Sequence, residues 1–575
     1  MLTIHKPFLF LFCCFIYFFG EGQGFSEKKY PQGYFIYPIE AQTIALAANF
    51  GELRPDHFHM GLDCKTDHRE NLVVHAAADG YVARVKIEPF GFGRAIYINH
   101  PNGFTTLYAH LNKFYPELEA YVKQQQYKLQ SWQVFLDIPK GMFPVRQRQM
   151  IARSGNTGGS QGPHTHFEIR DTKTDKNVNP LLFGFPIPDR VAPTVVSLAM
   201  YNRDLSTYNQ HPKMIALSKK GGAFSPLLRL ITTSLDKVSF GINAFDQLSG
   251  STNHNGIYEA VLYDNEKAIV GFKLDNFSYD ETRYVNANVD YKTKVTGGPY
   301  IQHLSRLPGN PEGIYKDFSG DGVLDLTDKK VHHIKIVVKD ANGNSSNVVF
   351  DIQDNGVTKH GVNHNNETGG SVEFEPGLRN IFENDEVGIM TDDKAVYDSF
   401  ALHVVNKDAS QNENGISDIF SISPDVPLQT AATIKIKPLG KLTSTVVPII
   451  KRTYKGKSEV VKAIREHDVY KANFRAFGDF QLLDDETPPV ISTSFVNNAN
   501  LAGVSSIVIN VKDENESVKN FKALLDGKWL RFTNDKEKAF IYKMDEMCGP
   551  GKHELRISVQ DEAGNVATKT LSFTK

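Results

Sequence analysis

"GPHTHFEIRD", Gly162–Asp171, sets two histidines one residue apart in a stretch that reads as a β-strand. Side chains alternate faces along a strand, so His164 and His166 point the same way. Two imidazoles on one side of one strand suggest a metal site and leave open whether both bind it. Outward from this stretch, residues from about 34 to 188 are short strands broken by glycine, as in "GYVARVKI" and "RAIYINHPNGFTTLYAHL". The alternation in "RAIYINH" and the turn in "NHPNGFTT" predict hairpins of a mostly antiparallel sheet. One helix is expected in "YPELEAYVKQQQYKLQ", with Pro116 at its start and Leu118, Tyr121, Val122 and Leu129 at helical spacing.

The whole chain has 575 residues, 41% hydrophobic and 23% charged. That is ordinary globular composition, long enough for about four domains. A net charge of −2 and the lack of a basic block interleaved with aromatics give no sign of nucleic acid. "MLTIHKPFLFLFCCFIYFFGEGQG" has one lysine, an apolar run from Pro7 to Phe19 and then small residues. It reads as a secretory signal peptide over residues 1–24, too short to span a bilayer. The bulky residue before Cys13 weakens a lipid-anchor reading. The mature chain is therefore expected to be exported to the periplasm or cell envelope, or beyond it. Cys64 and Cys548 alone make no disulfide framework.

Beyond residue 188 the sequence is strand-like and repeats itself. "INAFD" at Ile242–Asp246 recurs as "INVKD" at Ile509–Asp513, and "HHIKIVVKDANGN" from His332 matches "HELRISVQDEAGN" from His553. Each copy opens on a proline motif, "VAPTVVSL" and "TPPVISTS". Alternating strands closed by a D-x-x-G-N turn fit an immunoglobulin-like β-sandwich used twice, over 189–356 and 486–575. Between them, 357–485 reads as a β domain of unclear type, entered through the polar linker "GVTKHGVNHNNETGG". The segment "DFSGDGVLDLTD", Asp317–Asp328, has calcium-loop spacing at Asp317, Ser319, Asp321 and Asp325. It lacks the closing glutamate and a following helix, so a glycine-rich turn is favoured.

Eight of the nineteen histidines lie between His57 and His166. Three clusters carry the chemistry: "HFHMGLDC" with His59 and Asp63, "LYAHL" with His110, and "HTHFE" with His164 and His166. A catalytic zinc takes three protein ligands of nitrogen and oxygen type and leaves a fourth position for water. His59, Asp63 and one histidine of the last pair supply that count. His59 and Asp63 are four apart and would share a face if both lay on a strand. No H-E-x-x-H occurs, which excludes the helical arrangement with its glutamate base. His57 is read as structural, His68, His75 and His100 as bystanders, and Cys64 as a buried neighbour on the opposite face from Asp63. Glu168, two residues beyond His166, either orients a ligand or is a solvated strand residue.

"NFGELRPDHFHMGLD", "HPNGFTTLYAHL" and "SGNTGGSQGPHTHFEIRD" resemble the lysostaphin-type (LytM-like) zinc metallopeptidases, in a large exported form with immunoglobulin-like tail domains. The resemblance spans about residues 34–187 and implies a mainly β chain. Its metallopeptidase domain, residues 25–188, would be a two-sheet fold related to hybrid barrels. The resemblance further implies zinc (Zn2+) held by His59, Asp63 and His166, with His110 and His164 as the catalytic histidines. The activity it implies is endopeptidase cleavage of peptidoglycan peptide stems and cross-links. Two other readings stand beside it: a non-catalytic regulator of other wall hydrolases, and an adhesin or scaffold with a vestigial peptidase domain. His110 and His164 are 54 residues apart, and the excess over compact members, residues 115–143, is expected to border the groove. A further envelope protein could bind through the C-terminal β domains.

Overall fold

Strand His164–Asp171 sits in the interior of the first sheet, and every pairing around it is antiparallel. The strands here are β1 (Leu46–Ala48), β2 (Leu62–Lys65), β3 (Gly80–Ile87), β4 (Arg94–Asn99), β5 (Phe104–Ala109), β6 (Val134–Asp137) and β7 (His164–Asp171). Their order across the sheet is β1-β2-β7-β5-β4-β3-β6. A three-stranded sheet of Val73–His75, Met150–Arg153 and Lys113–Phe114 accompanies it. The computed structural model describes residues 24–575 apart from 41–43, 357–370, 409–413, 441, 443–447 and 516–517. The expected signal peptide, save Gly24, and nearly all of the expected linker lie outside the described residues.

Alternation on β7 decides both faces. Phe167 and Ile169 join Leu62, Ile96, Ile98 and Tyr108 in the core, each at 0–1% exposure. Full burial of such side chains stabilises by about 1.5–3 kcal/mol each. Cys64 is buried in the same core, on the face away from Asp63. The other β7 face carries His164, His166, Glu168 and Arg170. The helix α1 runs from Pro116 to Leu129, as its sequence predicts, but its buried face differs from expectation. Leu118, Val122 and Gln126 are buried, while Leu129 is exposed. Gln126 is turned inward because its amide donates to the Trp132 carbonyl and accepts from Arg531 (2.9 Å).

The first sheet does not end at residue 188. Asn177–Val178 pairs with β7 on one side and with Asn276–Phe277 on the other. Phe50, Phe58 and Met60, from the loop before β2, lie in a core otherwise built by residues 195–352. Phe58 is fully buried, and Thr282 binds its backbone through both the N–H (2.8 Å) and the carbonyl (2.9 Å).

The sequence repeat is a repeat of pairing. Lys237–Phe245, which contains "INAF", pairs with Thr194–Asn202 after the first proline motif. Ser506–Lys512, which contains "INVK", pairs with Val490–Thr493 after the second. The two D-x-x-G-N turns are chemically alike, with Asp340 Oδ1 accepting from the Asn344 N–H and Asp561 Oδ1 from the Asn565 N–H, each at 2.8 Å. Asp189, Asp246 and Asp340 converge beside the first of these turns. Burial, then the neighbouring Asp340 and Asp189 charges, push the Asp246 carboxyl up to about 7. In Asp317–Asp328, Asp317 pairs with Arg306 and Asp325 caps Thr327, so the carboxylates face different partners. The segment is a run of bends and a short strand, Leu324–Asp325, which pairs with Val238 and Lys237.

Candidate metal centre

Register builds the site. His166 lies opposite Asp63 on β2 and opposite Ala109 on β5, one residue before His110. Register thus pairs His166 with Asp63, while His110 follows the end of β5 with φ 60° and is not placed by strand alternation. His59 arrives differently from the sequence expectation: it precedes β2 in a loop, so strand alternation does not set its direction. Gly61 permits the approach. A Cβ there would stand 2.4 Å from the Phe167 carbonyl oxygen and 3.0 Å from the His166 ring.

Three ligand-type atoms converge. His59 Nε2 is 3.0 Å from Asp63 Oδ1 and 3.0 Å from His166 Nδ1, and His166 Nδ1 is 2.9 Å from Asp63 Oδ1. The opposite nitrogens are already engaged. His59 Nδ1 donates to the Asn49 carbonyl (2.7 Å), and His166 Nε2 to Glu168 Oε1 (2.9 Å). With those protons placed outward, both facing nitrogens present lone pairs, next to a carboxylate oxygen. A cation among the three relieves that contact. Without one, a proton on His166 does, since against burial its hydrogen bonds to Asp63 and Glu168 push its pKa up to about 9. Two imidazoles with one carboxylate are a donor set that suits zinc. These residues fit the metal.

His164 and His110 stand alongside. His164 Nδ1 donates to the Gly162 carbonyl (2.8 Å) and leaves Nε2 3.4 Å from Asp63 Oδ1, outside the close trio. His110 Nδ1 donates to the Thr157 carbonyl (2.8 Å), and its ring centre is 4.7 Å from that of His164. His110 has φ 60°, a left-handed backbone that non-glycine residues rarely adopt and that concentrates at functional sites. Burial, and then the His164 and His166 neighbours, push its imidazole down to about 3, so it is neutral near pH 7. Burial opposes charge on Asp63 as well, yet the surrounding His59, His164 and His166 hold its carboxyl well below the usual range.

Glu168 proves to be the support of a candidate ligand. It is fully buried, accepting from His166 and from Tyr279 Oη (2.5 Å) at Oε1 and from Arg170 Nε (2.7 Å) at Oε2. Burial alone would raise its pKa, but the Arg170 guanidinium and these hydrogen bonds hold it at about 2. The sequence reading missed Tyr279, which no local motif marks, as well as Gly61 and the Asn49 carbonyl. His57 pairs with Asp56 at the surface, and His100 is buried between the Asp79 carbonyl and Thr106, away from the trio. The centre opens into a groove of about 1390 Å³ walled by Phe92, Tyr97, Phe135 and Tyr279. Of residues 115–143 only Phe135 lines it.

The model of peptidase family M23 matches residues 57–127, which hold His59, Asp63 and His110. The chain is 31% identical over 165 residues to the DD-carboxypeptidase/endopeptidase Mpg of Neisseria meningitidis, covering 29% of each chain. The N-terminal region carries a peptidase family M23 match. An uncharacterized metalloprotease of Haemophilus influenzae is 32% identical to the chain over 136 residues, 24% of this chain and 22% of its own. The cell division protein DipM of Caulobacter vibrioides is 26% identical over 146 residues, 25% and 19% of the two chains. A solved zinc-containing peptidase from Vibrio cholerae aligns at 25% identity and a TM-score of 0.19, over 26% of this chain and 39% of its own. The chain thus spans under a third of the length of these curated relatives, and the match is confined to the M23-matching region and its surroundings. Among the described residues no helix is long and apolar enough to cross a membrane.

Proposed function

We propose that the chain is a zinc metalloendopeptidase that hydrolyses peptide cross-links of peptidoglycan in the cell envelope after export. The observation that carries the reading is the meeting of His59 Nε2, Asp63 Oδ1 and His166 Nδ1 within 3.0 Å of one another at the floor of an open groove. Those three residues would hold the metal. Zinc, when bound, supplies a Lewis acid and acidifies water toward a pKa of about 7. His164 and His110, each with Nδ1 tied to a backbone carbonyl, present Nε2 as the free acceptor. One takes the proton from the attacking water and the other, once protonated, faces the developing oxyanion. Glu168 fixes the His166 ring through Nε2. The β segments after residue 188, including the two repeats read as immunoglobulin-like, support the site as much as they extend it.

Intact family-type ligands favour activity over a purely regulatory role. The decisive experiment incubates the purified mature chain with peptidoglycan and identifies the released muropeptides by mass spectrometry, with and without chelator. Chelator-sensitive release of cut peptide stems is expected. Metal analysis that finds no transition metal at neutral pH would end the enzyme reading.

A further inference from the structure

The two loops that set His110 and His164 are themselves held by the far end of the chain. The first, residues 88–93, accepts the His110 N–H at the Phe92 carbonyl (2.9 Å). The second, residues 156–160, accepts His110 Nδ1 at the Thr157 carbonyl and places Ser160 Oγ 3.2 Å from His164 Nδ1. They pack backbone against backbone. The Gly159 N–H donates to the Gly91 carbonyl (2.9 Å), and a Cβ on Gly158 would fall 2.2 Å from the Gly93 nitrogen.

A hairpin tip of the last segment, residues 534–538, grips both loops from outside. Asp535 Oδ1 accepts the Gly158 N–H (2.8 Å), and the Lys536 N–H donates to the Pro89 carbonyl (2.8 Å). Lys536 Nζ donates to the Ser160 carbonyl (2.5 Å) and to Asn156 Oδ1 (3.2 Å). The tip is a specified shape, with Lys536 and Glu537 both left-handed at φ 57° and 50°. Its base rests on α1, where Lys123 pairs with Asp545 (3.0 Å) and Glu546 (2.8 Å), and Tyr127 meets Trp529 edge to face. Among the described residues, none of this last segment lines the groove, so the tip braces the walls and does not fill the site.

We propose that Asp535 and Lys536 are positioning residues of the active centre, stapling the two loops whose carbonyls and hydroxyl orient His110 and His164. The inference rests on the peptidase reading above. Without the staple, the trio of His59, Asp63 and His166 keeps Asn49, Glu168, Arg54 and one another as partners, and its polar contact with the stapled pair is the 3.4 Å approach of His164 Nε2 to Asp63 Oδ1. What changes is the aim of His110 and His164, and a misplacement of about 1 Å in such groups costs on the order of 10²-fold in rate.

The test uses the full-length mature chain loaded with zinc, comparing wild type with Asp535→Ala/Lys536→Ala. The double variant should lose about 10- to 100-fold in kcat on muropeptides, with KM changed by less than about 3-fold. Zinc content should stay the same. In histidine-labelled protein the ring signals of His110 and His164 should shift or broaden while those of His59 and His166 hold. Asp535→Asn and Lys536→Arg, which keep an acceptor and a donor, should restore most of kcat, and Lys538→Ala, exposed at the same tip, should leave it unchanged. An unchanged kcat, a raised kcat or a parallel loss of zinc overturns the proposal. If wild type cuts no muropeptide, the peptidase reading fails by itself. The ring signals then decide the staple, and unmoved signals sink it.

Discussion

Glu168→Gln separates charge from shape at the support of the metal centre. The amide oxygen of glutamine can still accept from His166 Nε2 and Tyr279 Oη in place of Oε1. Its amide nitrogen, however, would meet the Arg170 guanidinium, which now contacts Oε2 from both Nε (2.7 Å) and an Nη (2.6 Å). Arg170 is buried at 4% exposure and, among the described residues, keeps only Asp175, at 3.3 Å, as a charged partner. Two routes give the magnitude. The carboxyl is held at about 2 against an ordinary 4.5, and at about 1.4 kcal/mol per pH unit this is about 3 kcal/mol. Breaking one partner of a buried ion pair costs about 3–5 kcal/mol. Urea unfolding at pH 7 in chelator should therefore show a loss of about 3 kcal/mol. Because the folded pKa is depressed, this stability is present above pH 4.5 and is lost as pH falls toward 2, so wild type and variant should converge in acid. Zinc affinity, read by competition with a chromophoric chelator, should fall about 10- to 100-fold through weakened support of His166. A variant within about 1 kcal/mol of wild type and unchanged in zinc affinity refutes the argument, since Glu168 would then be a passenger.

His166→Ala should release zinc and abolish activity together. His164→Ala and His110→Ala should keep zinc and lose about 10²–10⁴-fold in rate, and loss of metal by His164→Ala as complete as by His166→Ala would show that both histidines of the strand bind. Phe135→Ser, at an exposed rim position of the groove, should alter which muropeptides are cut or their KM while zinc content stays constant; unchanged products would make Phe135 mere surface. Asp246→Asn should stabilise the chain at pH 8 in chelator by about 2–4 kcal/mol and have little effect near pH 4. The raised folded pKa means stability is present below about 3.8 and is lost as pH rises through about 7, so equal denaturation midpoints at both pH values count against it. Truncation after Pro188 should yield aggregated protein, because Phe50, Phe58 and Met60 would lose the core that covers them; a soluble, zinc-binding fragment would contradict the shared core.

What the sequence made legible was what local periodicity controls. The H-x-H pair shares a face because side chains alternate, and the antiparallel hairpins and the helix start at Pro116 follow from turn and capping chemistry. The choice of His59, Asp63 and His166 comes from the resemblance to the lysostaphin-type metallopeptidases, because alternation alone leaves open which histidine of the pair binds. His59 shows the limit of that logic. Its approach to Asp63 was assigned to strand alternation, whereas a loop and the absence of a side chain at Gly61 deliver it. Glu168 and Arg170 show a second limit. In the sequence Glu168 stands open between orienting a ligand and facing solvent, and nothing marks Arg170; both are buried, with Tyr279 arriving from more than a hundred residues away. Gln126 and Leu129 invert hydrophobic expectation for the same kind of reason: the helix is framed by the Trp132 carbonyl on one side and Arg531 of the last segment on the other.

Beyond His59, the unforeseen contacts share one cause, and it bears on how the site works. Glu168 touches Tyr279 and Gln126 touches Arg531, both remote in sequence, and Phe58 in the same way touches Thr282. The chemistry is concentrated in residues 59–166, but its supports come from the second segment and from the last. The first holds the side of the trio, through the buried loop before β2 and through Tyr279. The last holds the side of His110 and His164, through the tip at Asp535 and Lys536. On the proposed roles, metal retention and proton transfer would depend on different parts of the tail. A substitution in the second segment that loosens Phe58 should be felt first as lost zinc, and one at the tip as lost rate with zinc in place.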